Sequence, residues 1–213
     1  MQLLWGAVVR ERLDAPDSAH AAKPPRPAGY AETLALARVA ATALVDALDS
    51  AADAEPVWTW FPTDRSVGFV RRRQAHEALI HRIDAEQTAG RPRLPVDPML
   101  ATDGVDEVLT LTCGDAPAWA THVPVGPVGR LSTTDTGAAW LVRLGRLRGT
   151  NPNTGEDWDF PALAWATGEE PAFQVSALAA DLDAWLWNRA DGAAVTRSGD
   201  HAPFDALVRA GLQ

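Results

Sequence analysis

Apolar positions recur every three to four residues through the first half of the chain, and the second half switches to short strand-like runs separated by turns. Met1 to Leu13 is apolar at Leu4, Ala7 and Val8 and arginine-rich elsewhere, which suits the tail end of an amphipathic helix. Pro16, Pro24, Pro25 and Pro27 predict a loop over 15–27. Ala31 to Ala51 then sets Leu34, Ala37, Ala41, Leu44 and Leu48 at helical spacing in a run rich in strong helix formers. Pro56-Val57-Trp58-Thr59-Trp60-Phe61-Pro62 is a short aromatic connector. Thr63 or Asp64 is the expected N-cap of the next helix, which reaches about Gln87 before Gly90 and Pro92 stop it. A further helix is expected from Pro98 to about Thr112, with Val105, Val108, Leu109 and Leu111 in phase.

Beyond Gly114 the pattern changes. Arg130–Thr134 and Ala138–Leu144 flank Asp135-Thr136-Gly137, a hairpin signal. Thr150–Glu156 is turn-rich, and Phe160–Ala166 reads as another strand. Ser176–Asn188 carries Leu178, Leu182, Trp185 and Leu186 on one face and is expected to be an amphipathic helix. A short strand near Ala194–Arg197 and a helix over Pro203–Leu212 complete the pattern. Helices first and a mixed unit afterwards predict an α+β protein of two domains, 1–114 and 115–213. The Pro124–Gly129 cluster is placed at the entry of the second.

Composition narrows the function. The 213 residues suffice for a buried core, and 46% apolar with 22% charged residues is a globular profile. A net charge of −9 disfavours nucleic acid and anionic membrane as partners. Cys113 is the single cysteine, so there is no disulfide framework and no thiolate metal cluster, and a reducing, cytoplasmic location is expected. No apolar run approaches the ~20 residues of a spanning helix, and the start lacks a signal-peptide pattern.

Chemistry concentrates in Arg71-Arg72-Arg73-Gln74-Ala75-His76-Glu77-Ala78-Leu79-Ile80-His81-Arg82-Ile83-Asp84. His76 and His81 are five apart, about 140° around a helix, so they cannot clamp one zinc as a His-Glu-x-x-His protease motif does. Glu77 and His81, four apart, share one face with Asp84, and Val67, Phe69 and Val70 place that face toward the interior. A buried carboxylate and imidazole need partners, and a metal would satisfy both. The spacing is equally that of an exposed Glu–His pair. His76 reads as a surface or supporting residue. The three arginines point three ways into solvent, with Arg73 best placed to pair with Glu77.

At this segment the sequence resembles the actinobacterial mycothiol-dependent maleylpyruvate isomerase family, within the DinB-like superfamily of metal-binding four-helix bundles. The residues that carry the likeness are Pro56-Val57-Trp58-Thr59-Trp60, Val67-Gly68-Phe69 and Arg73-x-x-His76-Glu77-x-x-x-His81-Arg82-x-Asp84-Ala85-Glu86. The second half is similar to that family's sterol-carrier-like C-terminal domain through Leu131-x-x-Thr134-Asp135-Thr136-Gly137-x-x-Trp140, Asp181-Leu182-x-x-Trp185-Leu186-Trp187-x-Arg189 and Ser198-Gly199-Asp200. The resemblance implies an N-terminal DinB-like bundle followed by a smaller α/β domain. It implies that Glu77 and His81 are two of three zinc ligands.

The family's third ligand is a histidine on the bundle's first helix, upstream of a tryptophan that Trp5 matches. This chain starts after that point, and His20, His122 and His201 do not match the position. The bundle is therefore expected to be incomplete, with homodimerisation as one way to cover the gap. The implied activity is metal-dependent isomerisation or S-transfer on a small electrophilic substrate, with mycothiol as thiol cosubstrate and zinc as the metal. Arg189 is the candidate catalytic clamp for a substrate carboxylate; a basic side chain meeting a helix C-terminus is the alternative reading. A non-catalytic member that binds a small ligand or a partner is the competing function.

Overall fold

The computed structural model describes residues 1–21, 25, 27–114 and 116–212. They form two compact units, Met1–Leu79 and Ile80–Gln213. In the first, α1 (Gln2–Glu11), α2 (Pro16–Ala21) and α3 (Tyr30–Asp49) lead into α4 (Val67–Thr88), whose second half belongs to the second unit. The second unit adds α5 (Pro98–Gly114), β1 (Ala120–Thr133), β2 (Ala139–Thr150), β3 (Asp157–Trp165), β4 (Phe173–Ala177), α6 (Ala179–Leu186), β5 (Thr196–Gly199) and α7 (Ala202–Ala210). Helices followed by a mixed sheet with helices make the chain α+β, as expected.

The first unit is held by α1 against α3. Leu4, Trp5, Val8 and Val9 meet Leu44, Ala47 and Leu48, with Val57, Val67 and Val70 closing the cluster. Trp5 also stacks on Trp58, ring centres 5.6 Å apart. Two local expectations change here. Residues 16–21 of the predicted loop are helical: Pro16 opens α2 at the first-turn position, where a missing N–H breaks no helical bond. Residues 22–24 and 26 of that loop lie outside the described residues. The cap of α4 is Ser66, whose Oγ accepts from the Phe69 N–H at 3.1 Å, while Asp64 accepts from the Ser66 hydroxyl at 2.6 Å. The expected cap at Thr63 or Asp64 is thus displaced by a residue that reaches the N3 amide directly.

The second unit's sheet runs β3-β2-β1-β4-β5, antiparallel throughout except for the parallel β1–β4 pair. Its core gathers Leu131, Val142, Leu144, Leu163, Phe173 and Val175 from the strands. Val105, Val108 and Leu109 of α5, Leu182, Trp185 and Leu186 of α6, and Phe204 and Val208 of α7 complete it. The predicted hairpin is present: Gly137, at φ 74, donates its N–H to the Thr133 carbonyl at 3.1 Å. Asp135 on the same turn accepts from the Ala179 N–H at 3.0 Å and so supplies the first turn of α6 with an acceptor.

Two strand expectations are corrected. Pro124–Gly129, read as an entry segment, lies inside β1, where the register against β2 shifts between Pro124 and Val128. An irregularity is where a strand tolerates proline. β4 was not expected at all. Its Phe173, Val175 and Ala177 are buried and alternate with Gln174 and Ser176, so the predicted helix begins at Ala179 instead of Ser176.

Candidate functional site

The candidate ligands Glu77 and His81 sit on α4, whose buried side changes along its length. Val67, Val70 and Gln74 are buried on one side of the helix, and His76, Leu79, Ile80 and Ile83 on the opposite side. His76 is 1% exposed, so of the two expectations for it, surface or supporting residue, the surface placement is corrected: its imidazole is buried. The expected inward face of Glu77, His81 and Asp84 is corrected too. His81's side chain is 66% exposed, and Glu77 and Asp84 are near one-third exposed, because the larger apolar residues claim the interior.

Two of the three arginines, Arg71 and Arg73, have separate tasks. Arg71 donates to Asp53 at 2.8 Å and to the Leu48 and Ala51 carbonyls at 2.9 and 3.1 Å, satisfying acceptors at the C-terminal end of α3. Arg73, nearly buried, forms the expected ion pair with Glu77 one turn on. The prediction of three solvated arginines therefore fails for these two.

His81 is tied to a wider arrangement. Its Nδ1 lies 3.0 Å from Asp84 Oδ2. Arg189 grips the same carboxylate with both arms, Nε to Oδ1 at 2.9 Å and Nη2 to Oδ2 at 3.2 Å, and donates to the Trp187 carbonyl at 2.6 Å. The Arg189 hydrogen bond, opposed by partial burial and assisted by His81, holds the Asp84 carboxyl below its ordinary value. Asp84 is then an ionised acceptor, which makes His81 Nδ1 the protonated nitrogen and leaves the lone pair of a neutral ring on Nε2. A carboxylate orienting the far nitrogen is the arrangement that supports metal-ligating histidines.

Glu77 and His81, one turn apart on a continuous helix, thus have the donor chemistry for zinc. Among the described residues no group of three or more His, Cys, Asp or Glu side chains could hold a metal ion. The donor set seen here is two. His20 packs edge-on to Trp58, and His201 Nδ1 lies 3.2 Å from Asp205, so both are engaged elsewhere. The Asp84–Arg189 pair spans 105 residues and has no local sequence signal; Asp84 and Arg189 stand out singly, their pairing does not.

Residues 3–86 match the family model described as the mycothiol maleylpyruvate isomerase N-terminal domain. No curated protein and no solved structure matches the chain.

Proposed function

We propose, from a chain whose residues 3–86 belong to the mycothiol maleylpyruvate isomerase N-terminal domain family, that this protein is a mycothiol-dependent isomerase or S-transferase acting on a small electrophilic substrate. In this reading Glu77 and His81 contribute two ligands to a zinc site. A zinc ion there would supply Lewis acidity, lowering the pKa of a bound thiol so that the thiolate forms near neutral pH. The chain's own residues prepare the donors. Asp84 holds the His81 ring in one tautomer, Arg189 holds Asp84, and Arg73 neutralises Glu77 until a cation replaces it. Arg189 is accordingly a positioning residue, acting through Asp84 on His81. The observation that carries the proposal is the His81–Asp84–Arg189 chain of contacts, since an exposed histidine with no task needs no such bracing.

The test is metal content. Purified protein loaded with zinc and desalted is expected to retain about one zinc per chain, and Glu77→Ala or His81→Ala to lose it. Asp84→Asn and Arg189→Ala are expected to weaken zinc affinity about 10–100-fold, the usual effect of losing a partner that orients a ligand. Wild-type protein that retains no zinc sinks the metal-dependent reading. It favours instead a non-catalytic member that binds a small ligand or a partner.

A further inference from the structure

The helix α3 has two faces of unequal fate. Ala40, Leu44, Ala47 and Leu48 are buried in the first unit. The opposite side, centred on Thr42, consists of Ala31, Ala35, Arg38, Val39, Thr42, Val45, Asp46 and Asp49, and every one of these is exposed. Val39 and Val45 are 62% and 54% exposed, high for β-branched apolar side chains on a regular helix. Arg38, Val39, Thr42, Ala43 and Asp46 line a shallow groove of about 460 Å³.

We propose that this face is the contact between two copies of the chain, with their α3 helices antiparallel about a two-fold axis at Thr42. In such a contact each residue meets the one equally far on the other side of the axis, and the relation is reciprocal. The order of residues around Thr42 is self-complementary under that operation. Arg38 and Asp46 are equidistant from it, so each guanidinium lies level with the carboxylate of Asp46 in the second copy, twice over. Val39 and Val45 are also equidistant, so each valine lies level with a valine of the second copy, on the opposite flank of the seam. At the centre Thr42 faces itself, and the small Ala35 lets the helix axes approach to the ~8–10 Å of packed helices. A parallel pairing would instead set Arg38 level with Arg38 and Asp46 with Asp46, so the charges select the antiparallel order.

One helix pair of 20 residues, about 30 Å long, covers less than a standard interface of roughly 1,600 Å². The dimer is therefore reversible, with dissociation at micromolar concentrations or above. The proposal stands apart from the metal site, which lies on α4.

Sedimentation velocity of the full chain over about 1–200 µM tests it. The expected mass moves from the 22.8 kDa monomer toward twice that value with rising concentration. Arg38→Asp or Asp46→Arg alone sets like charges opposite each other and is expected to weaken association about tenfold or more. The combined R38D/D46R variant exchanges the signs and is expected to return the dissociation constant to within about threefold of wild type. Val39→Glu is expected to abolish the dimer. All three side chains are exposed, and unchanged far-ultraviolet circular dichroism verifies folding. A chain that stays monomeric throughout overturns the proposal. So does a dimer indifferent to the single reversals, or a double reversal that fails to restore it.

Discussion

Asp183 lies on the buried side of α6, 2% exposed, and its Oδ1 has no hydrogen-bond partner among the described residues. Its carboxylate presses on α5 at Gly104, where an added Cβ would stand 2.8 Å from both oxygens. Burial first, then the neighbouring Glu107, push the Asp183 carboxyl up to about 7; Arg93 opposes them and Asp103 adds to them. An unfolded aspartate titrates near ~3.9. Between about pH 4 and 7 the folded chain keeps a proton that the unfolded chain releases, so this residue's contribution to stability falls as pH rises through that window. Asp183→Asn, which cannot ionise, should flatten that dependence and stabilise the protein above pH 7 by about 1–3 kcal/mol. Urea midpoints from pH 4.5 to 8.5 check it; a wild-type slope unchanged in the variant sinks the assignment. In the sequence Asp183 passes unnoticed among Leu182, Trp185 and Leu186, although an acid on the apolar side of a helix is itself a signal. His76 stands out in the sequence but its burial does not, since nothing local distinguishes a buried imidazole from an exposed one.

At the scale of elements, the helices were legible because burial imposes a period that the apolar residues display, and α3 and α5 come within about two residues of expectation. The hairpin was legible from Asp135-Thr136-Gly137. What the sequence concealed depends on distant pairing. β4 has five residues and becomes a strand by lying between β1 and β5, and Arg189 acquires its role only when Asp84 is brought to it. The parallel β1–β4 pair also rests on a glycine. Gly129 is level with Phe173, and a Cβ there would fall 2.0 Å from the Phe173 ring, which is fully buried against Phe204 and the rest of the sheet core. Gly129→Ala must displace that ring, at a cost of about 1–3 kcal/mol for overpacking. Phe173→Leu in the Gly129→Ala background should recover part of the loss, although it is destabilising alone. Denaturant midpoints of the four proteins decide it, and a double variant that is merely the sum of the singles would show that ring and glycine do not meet.

For the whole molecule the informative feature is that the buried residues described fall into separate clusters. Leu4 belongs to the cluster built on Trp5, Val8, Leu44 and Leu48, and Leu131 to that built on Val142, Phe173, Leu182 and Phe204; the clusters share no residue. Composition and length were compatible with one large domain or two, and only the change of period near Gly114 favoured two. Leu4 is 3% exposed and Leu131 0%, so truncating either to alanine should cost about 2–5 kcal/mol, the range for cavities left by a buried leucine. Because the two clusters share no residue, the two losses should add to within about 0.5 kcal/mol in the double variant. The probes differ as well: Leu4→Ala should perturb the near-ultraviolet signal of the stacked Trp5–Trp58 pair, and Leu131→Ala that of Trp185, which packs beside Phe204. A coupling well above 1 kcal/mol in this double-mutant cycle would mean that the cores respond to each other's cavities and act as one cooperative structure.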